Sequence, residues 1–143
     1  MDSALPVIQL QPGIGILGLS FGATRDAVRK FFGTPQSSEQ SLIGYEVDRW
    51  SGVAAHFSSD DRLQALELGS PCACALDGTI ISALDFDDAV MFLTERDQQT
   101  LSCSEATHFG HLSMTVCRSG CGPAGGISFV LDGKGSGDWW SGG

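Results

Sequence analysis

Apolar residues in the first part of the chain fall in short runs and then switch to a helical spacing. Residues 7–10 and 14–19 are brief apolar segments broken by Pro12, Gly13 and Gly15, which suits an edge strand or an extended lead into the next element. From Ala27 the apolar positions are Ala27, Val28, Phe31 and Phe32, spaced i, i+1, i+4 and i+5 along one helical face. Thr24 is a favoured N-cap, Asp26 sits near the positive end of the helix dipole, and Arg29 and Lys30 lie toward the negative end. Gly33 suits the left-handed residue after a helix, and Pro35 cannot continue one. The pattern predicts a short helix over 24–33 that lays all four apolar residues on a sheet.

The pattern then changes to strand-like alternation. After a polar loop at 36–41, residues 44–50, 52–57 and 63–68 read as strands of an antiparallel meander, with Ser58-Ser59-Asp60-Asp61 turning the last two. Residues 74–81 form a further strand candidate. Asp85 is the N-cap of a second helix reaching about residue 96, with Asp87 and Asp88 in its first turn and Ala89, Val90 and Leu93 inward. Setting 16–32 against 78–94 aligns Ser20 with Ser82, Asp26 with Asp88, Ala27 with Ala89, Val28 with Val90, and Phe31 with Leu93 at a core position. Beyond each helix come a polar loop, a Gly-led strand (52–57; 110–116) and a second apolar strand (63–68; 127–131). The expectation is one α+β domain over 1–132, built of two pseudo-repeats at about 13–70 and 74–132, each a short helix packed on antiparallel β-strands. Residues 133–143 form a Gly/Ser-rich tail.

Leu17-Gly18-Leu19-Ser20, followed by Asp26-Ala27-Val28 and Phe32-Gly33-Thr34-Pro35, resembles the signature of the small bacterial BamE/SmpA proteins. The likeness covers roughly residues 15–35, with looser support to Leu68. The same unit occurs twice in the tandem fold of beta-lactamase inhibitory protein, and related cytosolic proteins look like immunity or inhibitor modules. The resemblance therefore implies a tandem helix-plus-sheet fold and an inhibitory, non-enzymatic role. It carries over no functional residue, and without a signal peptide or lipobox cysteine it carries over no envelope scaffold role.

Composition narrows the function classes. The chain has 143 residues, of which 42% are hydrophobic and 17% charged, enough for one buried core. Its 17 acidic and 8 basic residues give a net charge of −9, which repels phosphate backbones and favours a basic partner. No window approaches the roughly 18 apolar residues of a membrane span, and residues 1–6 lack a basic leader, so a cytoplasmic protein is expected. Five cysteines in such a chain read as mostly reduced thiols rather than a disulfide framework.

Several groupings suggest chemistry. Cys72 and Cys74, His108 and His111, and Cys117 and Cys121 offer zinc-type donors. Neither cysteine pair has the C-x₂-C knuckle, so buried or idle thiols are preferred and no cofactor is expected. Residues 13–18 match G-x-G-x-x-G, but the helix does not open at the third glycine and no strand–helix alternation follows, so Gly-rich backbone at an edge is preferred to a dinucleotide cradle. His56 sits in a strand without a partner motif, and Asp85, Asp87 and Asp88 are explained by helix capping, so no catalytic residues are assigned. An acidic, aromatic-bearing surface on the first meander is the expected contact for a basic protein: Glu46, Asp48, Trp50, Asp60 and Asp61. Trp139 and Trp140 add a second contact, docked on their own chain or in a partner or second subunit. The sequence thus points to a non-enzymatic protein-binding module. A small-ligand or metal-binding protein and an unrecognised enzyme are the alternatives.

Overall fold

The computed structural model describes residues 7–40, 46–69, 72–102, 106–118 and 127–132. Helix α1 spans Arg25–Phe32; the Thr24 hydroxyl accepts the Ala27 amide at 3.2 Å, and Gly33 ends the helix at φ 93°. Helix α2 spans Phe86–Thr94, capped by the Asp85 carboxylate on the Asp88 amide at 2.9 Å. Both caps were legible because each satisfies an amide the first helical turn leaves unpaired.

Twelve strands are present among the described residues: β1 Ile8–Gln11, β2 Gly15–Ile16, β3 Leu19–Ser20, β4 Ser37–Gln40, β5 Glu46–Trp50, β6 Val53–Phe57, β7 Leu63–Gly69, β8 Cys74–Ala75, β9 Thr100–Ser102, β10 Ala106–Phe109, β11 Met114–Cys117 and β12 Ser128–Asp132. Eight form one antiparallel sheet in the order β4-β5-β6-β7-β12-β11-β10-β9. A smaller sheet, β3-β2-β1-β8, contains the only parallel pairing among the described strands, Ile8 opposite Cys74. In the large sheet, α1 is followed by β4 to β7 and α2 by β9 to β12. The two runs meet where Ser128–Asp132 pairs with Ala65–Gly69.

The core lies on the face of the large sheet that points toward the helices. Ala55, Phe57, Leu66 and Leu68 on β6 and β7, with Phe109, Met114, Val116, Phe129 and Leu131 farther along, join Val28 of α1, Ala89 and Leu93 of α2, and Leu10, Ile16 and Leu19 of the small sheet in one buried cluster. Strand alternation puts every second residue on this face, and the register aligns Val53–Leu68–Phe129–Val116 and Ala55–Leu66–Leu131–Met114 as rows across it.

Five sequence expectations change. The polar loop expected between the second helix and residue 110 contains β9 and β10, paired with each other in the large sheet. The polar loop at 36–41 contains β4, whose side chains are all exposed, so its order comes from ladder bonds to β5 rather than an apolar pattern. The strand expected over 110–116 begins only at Met114, because residues 110–113 form the turn after β10, with Ser113 at φ 52°. The strand expected over 74–81 stops after Ala75, and Ile81–Ala83 form a 3₁₀ turn. The apolar stripe of α1 is split. Val28 is fully buried, whereas Phe31 is 44% exposed and does not share the fully buried setting of Leu93. The tail and its tryptophan pair lie outside the described residues.

Candidate functional site

Two neighbouring features of the first helix-and-meander segment are built by residues far apart in sequence. One is an ion cluster centred on a buried carboxylate. Asp48 points from β5 toward α1 with its side chain fully buried. Arg25 donates to its two oxygens at 3.2 and 2.7 Å, Arg29 at 2.8 and 3.1 Å, and the Ser38 hydroxyl at 2.6 Å. Arg25 and Arg29 converge because i and i+4 share a helical face. Burial works to raise the Asp48 pKa, but hydrogen bonds from Arg29, Arg25 and Ser38 outweigh it and hold the carboxyl well below its usual range. The Arg25 guanidinium also lies 5.0 Å from the centre of the Phe57 ring and reaches Glu46 at 3.6 Å and Asp61 at 3.4 Å.

The second feature is a pocket of about 440 Å³ at the C-terminal end of α1. Val7, Ile8 and Gln9 form one side, Leu17 of the β2–β3 connection another, Phe31, Phe32, Thr34 and Gln36 a third, and Trp50, Ser51 and Val53 of the β5–β6 hairpin the fourth. The aromatic walls are mutually fixed. Phe31 and Phe32 meet edge to face at 4.9 Å, and Phe32 and Trp50 lie 5.1 Å apart. Trp50 Nε1 donates to the Gly33 carbonyl at 3.0 Å, so the indole presents its ring to the pocket with its N–H already engaged. The Ile8, Leu17 and Gln36 amides donate to Ala73, Gln9 and Arg49 carbonyls at 2.9, 2.9 and 2.7 Å. None of the lining side chains carries a formal charge, and Val7, Leu17 and Phe31 are 38%, 61% and 44% exposed at the rim. Gly18 brings Leu17 close to the helix. At φ +95° it leaves room that a Cβ, 2.9 Å from Phe31 Cε2, would take away.

The expected contact residues therefore divide. Trp50 lines the pocket. Glu46 and Asp61 remain at the surface, tethered to Arg25, while exposed Asp60 accepts from the Ser58 hydroxyl, which lowers its pKa. Asp48 is removed from the surface set, because a fully buried carboxylate saturated by its own chain presents nothing to a partner. Trp139 and Trp140 lie outside the described residues.

The zinc-type donors are scattered. Cys72 and Cys74 are buried thiols, pushed by burial up to about 11 and about 12, so both are protonated at neutral pH. His108 Nδ1 meets the Thr115 hydroxyl at 2.8 Å on the large sheet, and His111 is 70% exposed in the β10–β11 turn. Cys117 is half-buried at the end of β11, and Cys121 lies outside the described residues. Among the described residues no group of three or more His, Cys, Asp or Glu side chains is placed to hold a metal. His56 meets Glu67 at 3.1 Å, a hydrogen bond that holds the Glu67 carboxyl below its usual range.

Sequence reasoning missed Asp97, whose buried carboxylate accepts the Gln99, His111 and Leu112 amides at 2.9, 2.6 and 2.9 Å and ties the end of α2 to the β10–β11 turn. It also missed the partnership of Arg25, Arg29 and Ser38 with Asp48, and the pocket roles of Val7, Leu17 and Phe31. The i, i+4 arginine spacing signalled a shared helical face, but nothing local signalled its target. Compared with family models, curated proteins and solved structures, the chain finds no match.

Proposed function

We propose that this chain is a non-enzymatic protein-binding module of the immunity or inhibitor type, which seats part of a basic partner in the pocket between α1, β1 and the β5–β6 hairpin. The observation that carries the reading is the pocket's apolar rim: Val7, Leu17 and Phe31 stand exposed around an opening lined by uncharged residues. Apolar surface clustered at a concavity marks a place where binding removes it from water. The net charge of −9 favours approach of a basic partner, with Glu46, Asp60 and Asp61 among the surface carboxylates that contribute. Trp50 supplies the fixed aromatic wall. The same proposal treats the two helix-then-meander segments as related units, in line with the resemblance to the tandem fold of beta-lactamase inhibitory protein. It also places the protein in the bacterial cytoplasm, with self-association as a second use of the surface.

A free small ligand is the second reading, favoured by a volume of about 440 Å³ against the roughly 300–1,000 Å³ of ligand pockets. Native mass spectrometry of the chain purified from its own host without chelator separates the two. The expected result is a heterocomplex that weakens with salt and is lost on Leu17→Arg, a rim substitution that costs the fold little because the side chain is exposed. A complex retained undiminished by Leu17→Arg, or a bare monomer, overturns the reading, and a small added mass favours the ligand alternative.

A further inference from the structure

We infer that the pocket recognises an uncharged aromatic side chain carried on a basic segment of the partner protein. The inference rests on the protein-binding reading and deepens it by naming what enters the site. Three observations converge. First, the walls are rings already in edge-to-face and tilted contact, Phe31 with Phe32 at 4.9 Å and Phe32 with Trp50 at 5.1 Å, so a guest ring extends an existing aromatic array.

Second, the site offers an ionised guest no counter-charge. No lining side chain is ionised, the indole N–H is spent on Gly33, and the Ile8, Leu17 and Gln36 amides are spent on other carbonyls. An ion entering there would lose its hydration without a counter-charge, which is costly. The polar ends of Gln9, Gln36, Thr34 and Ser51 leave scope for one neutral hydroxyl or N–H, the polar handle of tyrosine or tryptophan.

Third, the rim indicates a protein source. Val7, Leu17 and Phe31 continue the apolar surface outside the opening, where a free ring of pocket size leaves them wet and a polypeptide bearing that ring covers them. The partner's flanking residues are basic by complementarity with a chain of net charge −9.

The test uses the full-length, ¹⁵N-labelled protein and three probes: the capped peptides Lys-Lys-Trp-Lys-Lys and Lys-Lys-Ala-Lys-Lys, and free indole. The Trp50 indole N–H resonance, assigned by its loss in Trp50→Phe, is followed during titration together with the Gly33 amide. The expected result is saturable movement of both signals by the tryptophan peptide, with affinity about ten-fold or more above that of the alanine peptide, the scale of a truncated hot-spot aromatic. Leu17→Ser is expected to reduce the tryptophan-peptide affinity while leaving the rest of the spectrum unchanged. Equal binding of both peptides overturns the aromatic anchor and leaves the basic-partner reading standing. Indole binding as tightly as the peptide overturns the protein source in favour of a free ligand. Failure of the tryptophan peptide to move Trp50 overturns the inference outright, while the mass-spectrometric capture of a partner judges the broader reading separately.

Discussion

Asp48 shows how much of this molecule is decided at single residues. A carboxylate with no exposure is tolerable only because two guanidinium groups and a hydroxyl surround it. Asp48→Asn removes the negative charge and leaves Arg25 and Arg29 facing each other, so a loss of about 3 kcal/mol is expected in urea unfolding, toward the low end for a broken buried pair because Arg29 reaches water. The pH arm follows from the direction of the shift. A carboxyl whose folded pKa is depressed contributes its full stability above its unfolded value of about 3.9 and loses it as pH falls from there toward the folded value. Acid unfolding of the wild type should therefore steepen below about pH 4, and Asp48→Asn should flatten that arm. Cys72 and Cys74 offer a check of a different kind. As buried thiols raised to about 11 and about 12, they should resist iodoacetamide at pH 8 in the native protein and react once it is unfolded, read by peptide mass mapping.

Helix α1 is a short element held by its ends and one ion cluster rather than by a broad apolar face. Only Val28 is fully buried on it. Thr24→Ala removes the cap on the Ala27 amide and should cost about 1 kcal/mol by thermal or urea unfolding. Phe31→Ala, at an exposed position, should change stability far less than a core deletion and instead weaken whatever occupies the pocket, a separation visible by measuring both on one sample. The β5–β6 hairpin that carries Trp50 depends on Gly52, which sits at φ +77° where a Cβ would lie 2.6 Å from the Gly69 carbonyl oxygen. Gly52→Ala should cost about 2 kcal/mol or more, from left-handed strain together with the backbone clash.

At the scale of the whole molecule, β7 and β12 join two four-stranded runs into one sheet, and a single cluster runs beneath both. Cooperative unfolding follows from that continuity. Leu66 and Leu131 pair across the seam and are fully buried, so Leu131→Ala should cost about 2–5 kcal/mol and lower the stability of both halves together. Coincident denaturation curves from tryptophan fluorescence and far-ultraviolet circular dichroism are the check; two separated transitions would show that the halves fold independently.

Short-range physics controls the two capped helices, the turns at Gly33 and Ser58–Asp61, the strands β5, β6, β7 and β12, and the mixed α+β class, and these were legible in the order of residues. Each rests on groups within a few residues of one another, as in the Thr24 and Asp85 caps and the short, largely apolar runs of β6 and β7 bounded by turn residues. Strands β4 and β9 left no apolar alternation to read, because an exposed edge strand is ordered by its neighbour's backbone rather than by its own side chains. The site was legible only in Trp50. Tertiary structure alone decided that Asp48, alike in sequence to its acidic neighbours, turns inward onto Arg25 and Arg29, while Phe31, alike to a core residue, turns outward beside Leu17 and Val7. Strand register and helix placement bring those groups together across wide sequence separations, and neither can be read from the spacing of residues within one element.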